Sequence, residues 1–190
     1  VTNIGVDAFY GCAELKTVVN FSELTVSKGS SDNGYIAYYA DKVINAPNGF
    51  VDGDFAWGID DDGVYVLCSY FGDATELTLP ADCKGENYKI GEDAFDGCTA
   101  LTSVEIPNSV TNIGSNAFRD CEGLTSVVIG NGVTSIGDYA FSYCRALTSV
   151  ELPVSLRSIG ENAFARCTSL VSVIICENVE NIGAHAFYSC

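Results

Sequence analysis

Cysteine is the residue type with the greatest capacity for chemistry in this sequence of 190 residues, which contains nine cysteines and one histidine. Zinc sites favour close pairs such as Cys-x-x-Cys with histidines nearby, and no such pair occurs here. Six cysteines instead follow an Ala-Phe pair, each three residues after the Phe. A free cysteine beside a phenylalanine behaves as a small apolar residue, so this spacing favours a column of buried thiols over disulfides. The six are Cys12, Cys98, Cys121, Cys144, Cys167 and Cys190.

The other titratable residues do not assemble a catalytic set. His185, the only histidine, occupies a repeat position that other copies fill with Asp, Asn or Tyr, so we predict an exposed surface residue rather than a general base. Three aspartates precede Gly63, but they lack the alternate spacing and final Glu of a calcium-binding loop. A disulfide between Cys68 and Cys83 remains open. We predict no catalytic residue, no metal ligand, no cofactor and no enzymatic activity.

Charge and composition exclude several classes of partner. The chain has 25 acidic and 9 basic residues, a formal net charge of −16, which argues against binding to nucleic acid or to an anionic membrane surface. No apolar run approaches the roughly 18 residues that membrane insertion requires. With 47% hydrophobic residues, a chain of this length should form one core rather than two domains. It contains no methionine and no signal-peptide pattern, so we interpret it as a segment of a longer protein.

An internal repeat of 23 residues dominates the sequence. Ile-Gly pairs recur at this spacing from Ile90 to Ile182, and each pair is followed by Ala-Phe and then by the cysteine. One copy cannot bury its own apolar residues, so we predict a solenoid in which stacked coils share a continuous core. The phenylalanines should then lie in a single file. They are Phe95, Phe118, Phe141 and Phe164.

Residues 101–121 illustrate the predicted structure of one coil. Residues 101–106 alternate so that Val104 and Ile106 share one face, which is typical of a β-strand. A second extended piece follows at 110–113. Residues 116–121 are predicted to form a single helical or 3₁₀ turn on the far side. Successive strands should pair as a parallel sheet along one wall of the solenoid.

This Ile-Gly-x-x-Ala-Phe-x-x-Cys-x-x-Leu-x-x-Val-x-Ile-Pro frame resembles the repeats of the BspA-like leucine-rich-repeat family of bacterial surface proteins. The resemblance implies a right-handed leucine-rich-repeat superhelix, an α/β repeat solenoid with parallel β-strands and short helical or 3₁₀ turns. It also implies an extracellular or cell-surface location and a role in adhesion. The sequence departs from ordinary leucine-rich repeats at the position where those place an asparagine after the strand. That position holds Ser109, Gly132, Ser155 and Asn178.

The phase of the repeat is broken in the first half of the chain, because 86 residues separate Ile4 from Ile90 where four repeats would span 92. Strand-like runs around Asp60–Gly63 predict a β-hairpin that either widens the strand wall or caps a break in the stack. Four extra residues also precede Ile90. We divide the single domain, 1–190, into a regular coil at 1–26, an irregular segment at 27–76 with the hairpin at 54–71, and regular coils at 77–190. The candidate ligand-binding aromatic residues of the insert are Trp57, Tyr65 and Tyr70.

Outward-facing strand positions provide the main candidate ligand-binding surface. Rows of hydroxyls, acids and apolar groups suit a protein or glycan ligand, such as a host matrix protein. The alternative is that duplication alone keeps these rows, and that the chain is a passive spacer or accessory module of a longer secreted protein. The sequence leaves the oligomeric state open. The two rows are Ser103, Ser126, Ser149, Ser172 and Glu105, Val128, Glu151, Ile174.

Overall fold

The computed structural model of the chain describes residues 4, 8–10, 12–13, 15, 17–22, 26, 42–46 and 48–190. Within these residues the chain consists of β-strands and turns and contains no helix. The strands are β1 (Thr17–Asn20), β2 (Lys42–Asn45), β3 (Phe50–Asp52), β4 (Phe55–Ile59), β5 (Tyr65–Tyr70), β6 (Glu76–Thr78), β7 (Tyr88–Ile90), β8 (Ser103–Ile106), β9 (Val110–Ile113), β10 (Ser126–Ile129), β11 (Ser135–Ile136), β12 (Ser149–Glu151), β13 (Ser158–Ile159), β14 (Ser172–Ile174) and β15 (Asn181–Ile182).

Two sheets run along the stack. The first, which we call the front sheet, is parallel and has the strand order β14-β12-β10-β8-β6. The second, the back sheet, has the order β15-β13-β11-β9-β7-β5-β4-β3. In the front sheet Val127 pairs with Val104 on one side and Val150 on the other, so neighbouring partners are one 23-residue repeat apart. This register confirms the predicted parallel solenoid and adds a second sheet to the single wall expected from the sequence.

The core is a continuous column inside the two sheets. From Phe95 to Phe187, adjacent phenylalanine rings are stacked with centroids 4.7 to 5.3 Å apart. The predicted single file of phenylalanines is therefore confirmed. Inward strand residues such as Val104 and Ile106 pack around it. Each coil covers its neighbour's apolar face, so removing one ring, as in Phe141→Ala, should cost about 3–5 kcal/mol.

After its back-sheet strand each coil returns to the front sheet through a connection that we call the turn side. This connection, which includes residues 116–121, differs from the predicted helical or 3₁₀ turn. The amides of Asn116 and Phe118 donate to carbonyls of the next coil, over 2.9 and 2.7 Å. Amides that alternate with these, such as those of Arg119 and Cys121, donate back to carbonyls three residues earlier in their own coil. Left-handed backbone at Asn116 and Asp120, with φ of 53° and 56°, produces this alternation. A helix directs every N–H along its own axis and could not bond the next coil, so the helical prediction was wrong.

The β-hairpin predicted for the insert is confirmed. Strands β4 and β5 pair antiparallel, and β5 pairs parallel with β7, so the second hairpin strand takes the place of a back-sheet strand. Strand β3, which the sequence did not reveal, adds antiparallel to β4. The Asp60 carboxylate holds the turn, because it accepts hydrogen bonds from the amides of Asp62 and Val64 and from the Lys89 ammonium. The insert therefore widens a sheet and does not cap a break in the stack.

Strands β1 and β2 form a separate two-stranded parallel sheet near the start of the chain. Val18 and Val26 form a small apolar cluster there, against which Leu15 and Val43 pack. Nearly half of the coil predicted at 1–26, and the part of the irregular segment from 27 to 41, lie outside the described residues. The proposed division of the chain at 26 and 76 stays a prediction.

Candidate functional site

The outward rows of the front sheet are in register. The serine row is continuous, because Ser126 pairs with Ser103 on one side and Ser149 on the other, and Ser149 pairs with Ser172. All of these serines are exposed except Ser103, which is half-buried. None of their hydroxyls forms a hydrogen bond within the part of the chain that the structure describes. The serine row therefore presents donors and acceptors to solvent.

The second row alternates acidic and apolar side chains. Val128 pairs with Glu105 and with Glu151, and Glu151 pairs with Ile174. Val128 and Ile174 are 60% and 75% exposed, which is unusual for apolar residues on a regular strand. The Thr78 hydroxyl donates to the Glu105 carboxylate over 3.3 Å and extends the row by one strand. Both rows thus exist as continuous surface columns.

A third row, of threonines, was missed by the sequence analysis although a Thr precedes three of the four serines. The hydroxyls of Thr102 and Thr125 donate to backbone carbonyls of the preceding coil, over 2.8 and 2.9 Å. Thr148 repeats this bond over 3.4 Å. In the next coil the position holds Val171, which is 87% exposed. The threonines connect neighbouring coils, whereas the serines beside them do not.

A shallow depression of about 270 Å³ lies between the two rows, lined by residues of β10 and β12. Ser126, Val128, Ser149 and Glu151 contribute to its walls. The surface therefore combines hydroxyl, carboxylate and apolar groups within one small area. Such an open, mixed surface suits a macromolecular ligand better than a small molecule, because it encloses little of a bound group.

Two of the three aromatic candidates in the insert belong to the core. Trp57 is 2% exposed and contacts Tyr88 edge-on at 5.0 Å, while Tyr70 is 6% exposed and stacks on Phe95 at 5.4 Å. Tyr70 thus continues the phenylalanine file into the insert. These burials do not fit the prediction that Trp57 and Tyr70 contact a ligand. Only Tyr65 of the three is half-buried and retains accessible surface.

Three of the six repeat cysteines form a buried thiol column as predicted, whereas Cys98 is half-buried and Cys12 and Cys190 are exposed. The thiols of Cys121, Cys144 and Cys167 each donate to the carbonyl of a phenylalanine in the preceding coil, over 3.2 Å in every case. Burial raises the pKa of all three thiols, that of Cys167 to about 12. None of the nine cysteines, all of which are described, forms a disulfide, so the open Cys68–Cys83 alternative is not present.

In the part of the chain that the structure describes, the remaining candidates are not brought together. His185 is exposed, with its ring edge-on to Tyr188 at 5.5 Å. Within the described residues, no three His, Cys, Asp or Glu side chains converge as a metal site would require. The same residues include no helix with the length and hydropathy of a membrane span.

The geometry defines a class of protein, a parallel two-sheet solenoid of stacked coils with an exposed, regularly patterned wall. The family model described as "BspA type Leucine rich repeat region" matches residues 69–190 with six copies. The chain therefore belongs to the BspA-type leucine-rich-repeat family. Leucine-rich repeats generally mediate protein interactions through their surfaces.

Solved structures of bacterial leucine-rich-repeat proteins resemble the chain. A T. pallidum leucine-rich-repeat protein is 32% identical with a TM-score of 0.71, over 74% of this chain and 67% of its own. A protein from Bacteroides ovatus is 34% identical with a TM-score of 0.62, over 73% of this chain and 38% of its own. A leucine-rich cell-surface protein from Faecalibacterium prausnitzii is 27% identical with a TM-score of 0.55, over 77% of this chain and 53% of its own. No functionally curated protein shows significant similarity.

Proposed function

We propose that the chain is a non-enzymatic recognition module that acts at the cell surface or outside the cell and binds a protein ligand through its front sheet. The observation that carries this proposal is the serine row, whose hydroxyls remain uncommitted while the neighbouring threonines bond the backbone. The adjoining row adds charge and exposed apolar surface. A surface of this composition matches the mixed polar and apolar character of protein interfaces.

The cell-surface location is supported by relatives rather than by the fold itself. One similar solved protein, from F. prausnitzii, is named a cell-surface protein. The chain spans little more than a third of the B. ovatus relative and half of the F. prausnitzii one, so the partners of a whole protein of this kind are part of the proposal. A host matrix protein is the ligand class that we put to the test, and a glycan is the alternative.

The test measures binding of the purified chain to immobilised collagen, fibronectin and laminin, and to a glycan array. The double variant Glu105→Lys and Glu151→Lys reverses the charge of the acidic row without touching the core. For a ligand held by the front sheet, we expect the Kd to rise at least about tenfold, since reversing charges at an interface adds repulsion to the lost attraction.

A matched control changes the same number of charges on the turn side, as Glu92→Lys with Glu161→Lys. Both of these residues are exposed and each follows the glycine of its repeat. This control should leave binding within about twofold of the unchanged protein, apart from a small effect of net charge on the association rate. Equal losses in the two double variants would contradict a front-sheet site.

The alternative function is a passive spacer in a longer secreted protein. It predicts that the isolated chain binds none of the probes, and that chains extended by their flanking sequence bind equally well with or without the front-sheet substitutions. Binding by the isolated chain that is lost in the front-sheet variant separates recognition from this alternative.

A further inference from the structure

Two departures from the 23-residue repeat converge at one edge of the molecule. The first is the hairpin insert, which places β3, β4 and β5 at the end of the back sheet. The second is the four extra residues between Pro80 and Ile90, which form a tight turn closed by paired backbone hydrogen bonds between Cys83 and Glu86. In repeat proteins, insertions that fall on one face often form the binding surface.

The turn places an ammonium group against an aromatic corner. The Nζ atom of Lys84 lies 3.9 Å from the centroid of the Phe50 ring and 5.6 Å from that of Tyr65. The two rings meet almost at right angles, with centroids 6.3 Å apart and an interplanar angle of 85°. Two perpendicular aromatic faces around one cation are the geometry by which proteins bind ammonium ligands.

The surroundings of this corner favour a positive charge and remain open. A cleft of about 320 Å³ lies beside it, bordered by the exposed carboxylates of Asp52 and Asp82 and floored by Trp57. Lys84 is itself exposed, and it forms no ion pair with any described residue. The ammonium is therefore held mainly by the rings, in a protein with a net charge of −16.

The backbone fixes the turn independently of the Lys84 side chain. Lys84 and Gly85 have φ of 55° and 85°, the left-handed conformations that a tight two-residue turn requires at both positions. A lysine is not a residue that this conformation favours, since Asn followed by Gly is preferred there. The identity of the side chain is thus explained by its position on the aromatic corner and not by the turn.

We propose that Phe50 and Tyr65, with Asp52 and Asp82, form a binding site for a lysine side chain of a partner protein, and that Lys84 occupies this site in the absence of the partner. The site lies on the back-sheet edge and is separate from the front-sheet surface. A cation–π contact at an exposed position is weak, so Lys84 should reduce the affinity of a competing ammonium by only about fivefold.

The chain offers a specific reporter, because Trp57 is its only tryptophan and its ring stacks on Phe50 with centroids 6.2 Å apart. The experiment titrates the protein with Nα-acetyl-lysine methylamide and follows Trp57 fluorescence. The neutral analogue Nα-acetyl-norleucine methylamide has the same length without the charge. Sodium chloride at matched ionic strength accounts for non-specific attraction of cations to the acidic surface.

The informative variant is Lys84→Asn, which removes the ammonium and supplies the residue that the turn prefers. We expect saturable binding of the lysine probe, tightened by about two- to fivefold in Lys84→Asn, and no saturable response to the norleucine probe. Phe50→Leu, which keeps an apolar side chain without the aromatic face, should abolish the response. Arg157→Gln removes one positive charge at a distant exposed position and should leave binding unchanged.

Several results would overturn the proposal. A lysine probe that gives no saturable response in Lys84→Asn would show that the corner binds no free ammonium. Equal responses to the lysine and norleucine probes would make the contact apolar. Because the comparison of Lys84→Asn with the unchanged chain does not require Phe50→Leu to fold, the outcome is decisive even if that variant is unstable.

Discussion

The Sγ atom of Cys144 lies 3.2 Å from the backbone carbonyl oxygen of Phe118, one coil earlier in the stack. The thiol donates to a carbonyl that already accepts a hydrogen bond from the backbone amide of Cys121, which lies in the same coil as Phe118. Burial among apolar side chains keeps this thiol protonated by raising its pKa. The cysteine row thus couples neighbouring coils through side chains, as the threonine row does on the front sheet.

Stability should fall as the pH rises above about 9, because burial raises the pKa of these thiols and so makes their ionisation more costly in the folded state than in the unfolded state. The pKa of Cys167 is raised to about 12 from an ordinary value of 9.0, so its contribution to stability is complete below pH 9 and is lost as the pH rises towards 12. Because the unfolded thiol is half ionised at pH 9, each such thiol should lower the free energy of unfolding by about 1 kcal/mol between pH 9 and 10, and by about 1.4 kcal/mol per pH unit above that. Urea unfolding at several pH values between 9 and 10 measures the slope.

The variant Cys144→Ala tests the assignment. It should lower stability at pH 7 and reduce the loss of stability between pH 9 and 10 by about 1 kcal/mol, since one ionising group is removed. Val133→Ala, which deletes buried apolar volume without a titrating group, should lower stability equally at every pH. An alkaline slope that is the same in Cys144→Ala and the unchanged chain would contradict the role of this thiol.

The repeat and the hairpin could be predicted because their physical causes are written in the residue pattern. A 23-residue apolar period requires coils that stack, and two strand-like runs around Asp60–Gly63 require a hairpin. The turn side could not be predicted in the same way. Its left-handed positions are held in some coils by Asn116 and Asp120, which favour that conformation, but in others by Tyr139 and Arg166, which do not. Hydrogen bonds to the next coil impose the conformation there.

The candidate site was predicted unevenly for similar reasons. The serine row follows from strand alternation alone, so Ser126 and Ser149 could be placed correctly on the outer face. An aromatic-rich insert has no such rule, because Trp57 and Tyr65 differ in burial only through the strand partners that they acquire. The contact of Lys84 with the aromatic corner could not be predicted, because it depends on two insertions that meet only in the folded structure. Neither insertion follows the repeat, so no period places them.

Glycines of the repeat should fall into two energetic classes. A Cβ atom on Gly137 would lie 2.7 Å from the amide nitrogen of Ser115 and 2.8 Å from the carbonyl carbon of Gly114, so Gly137→Ala should cost about 1–3 kcal/mol by forcing two coils apart. Gly97 has a φ of 71° and no atom within 4 Å of an added Cβ. Its repeat position holds Asp120 in the next coil.

The matched substitution Gly97→Asn should therefore cost less than about 0.5 kcal/mol, since asparagine tolerates left-handed backbone. Urea unfolding of both variants at pH 7 provides the comparison. A cost for Gly97→Asn as large as that for Gly137→Ala would show that the spacing between coils does not set the requirement for glycine.

Two serines at the same repeat position should respond in opposite directions to removal of their hydroxyls. The Ser155 hydroxyl donates to the carbonyl of Val133 over 2.6 Å, whereas the Ser109 hydroxyl oxygen is buried without a hydrogen-bond partner. The coil that precedes Ser109 carries the four extra residues before Ile90, and the strand register shifts there between Tyr88 and Lys89. The regular backbone that supplies the Val133 carbonyl to Ser155 is therefore interrupted in the coil that precedes Ser109.

Because an unpaired buried hydroxyl costs free energy and a paired one contributes it, Ser109→Ala should stabilise the chain by about 1 kcal/mol and Ser155→Ala should destabilise it by about 1 kcal/mol. The two variants remove the same atom from equivalent positions two coils apart, so the difference of about 2 kcal/mol isolates the hydrogen bond. Urea unfolding of both variants at pH 7 measures it. Equal destabilisation by the two substitutions would mean that the Ser109 hydroxyl has a partner after all, such as a bound water, and that the insertion leaves the stacking of the coils undisturbed.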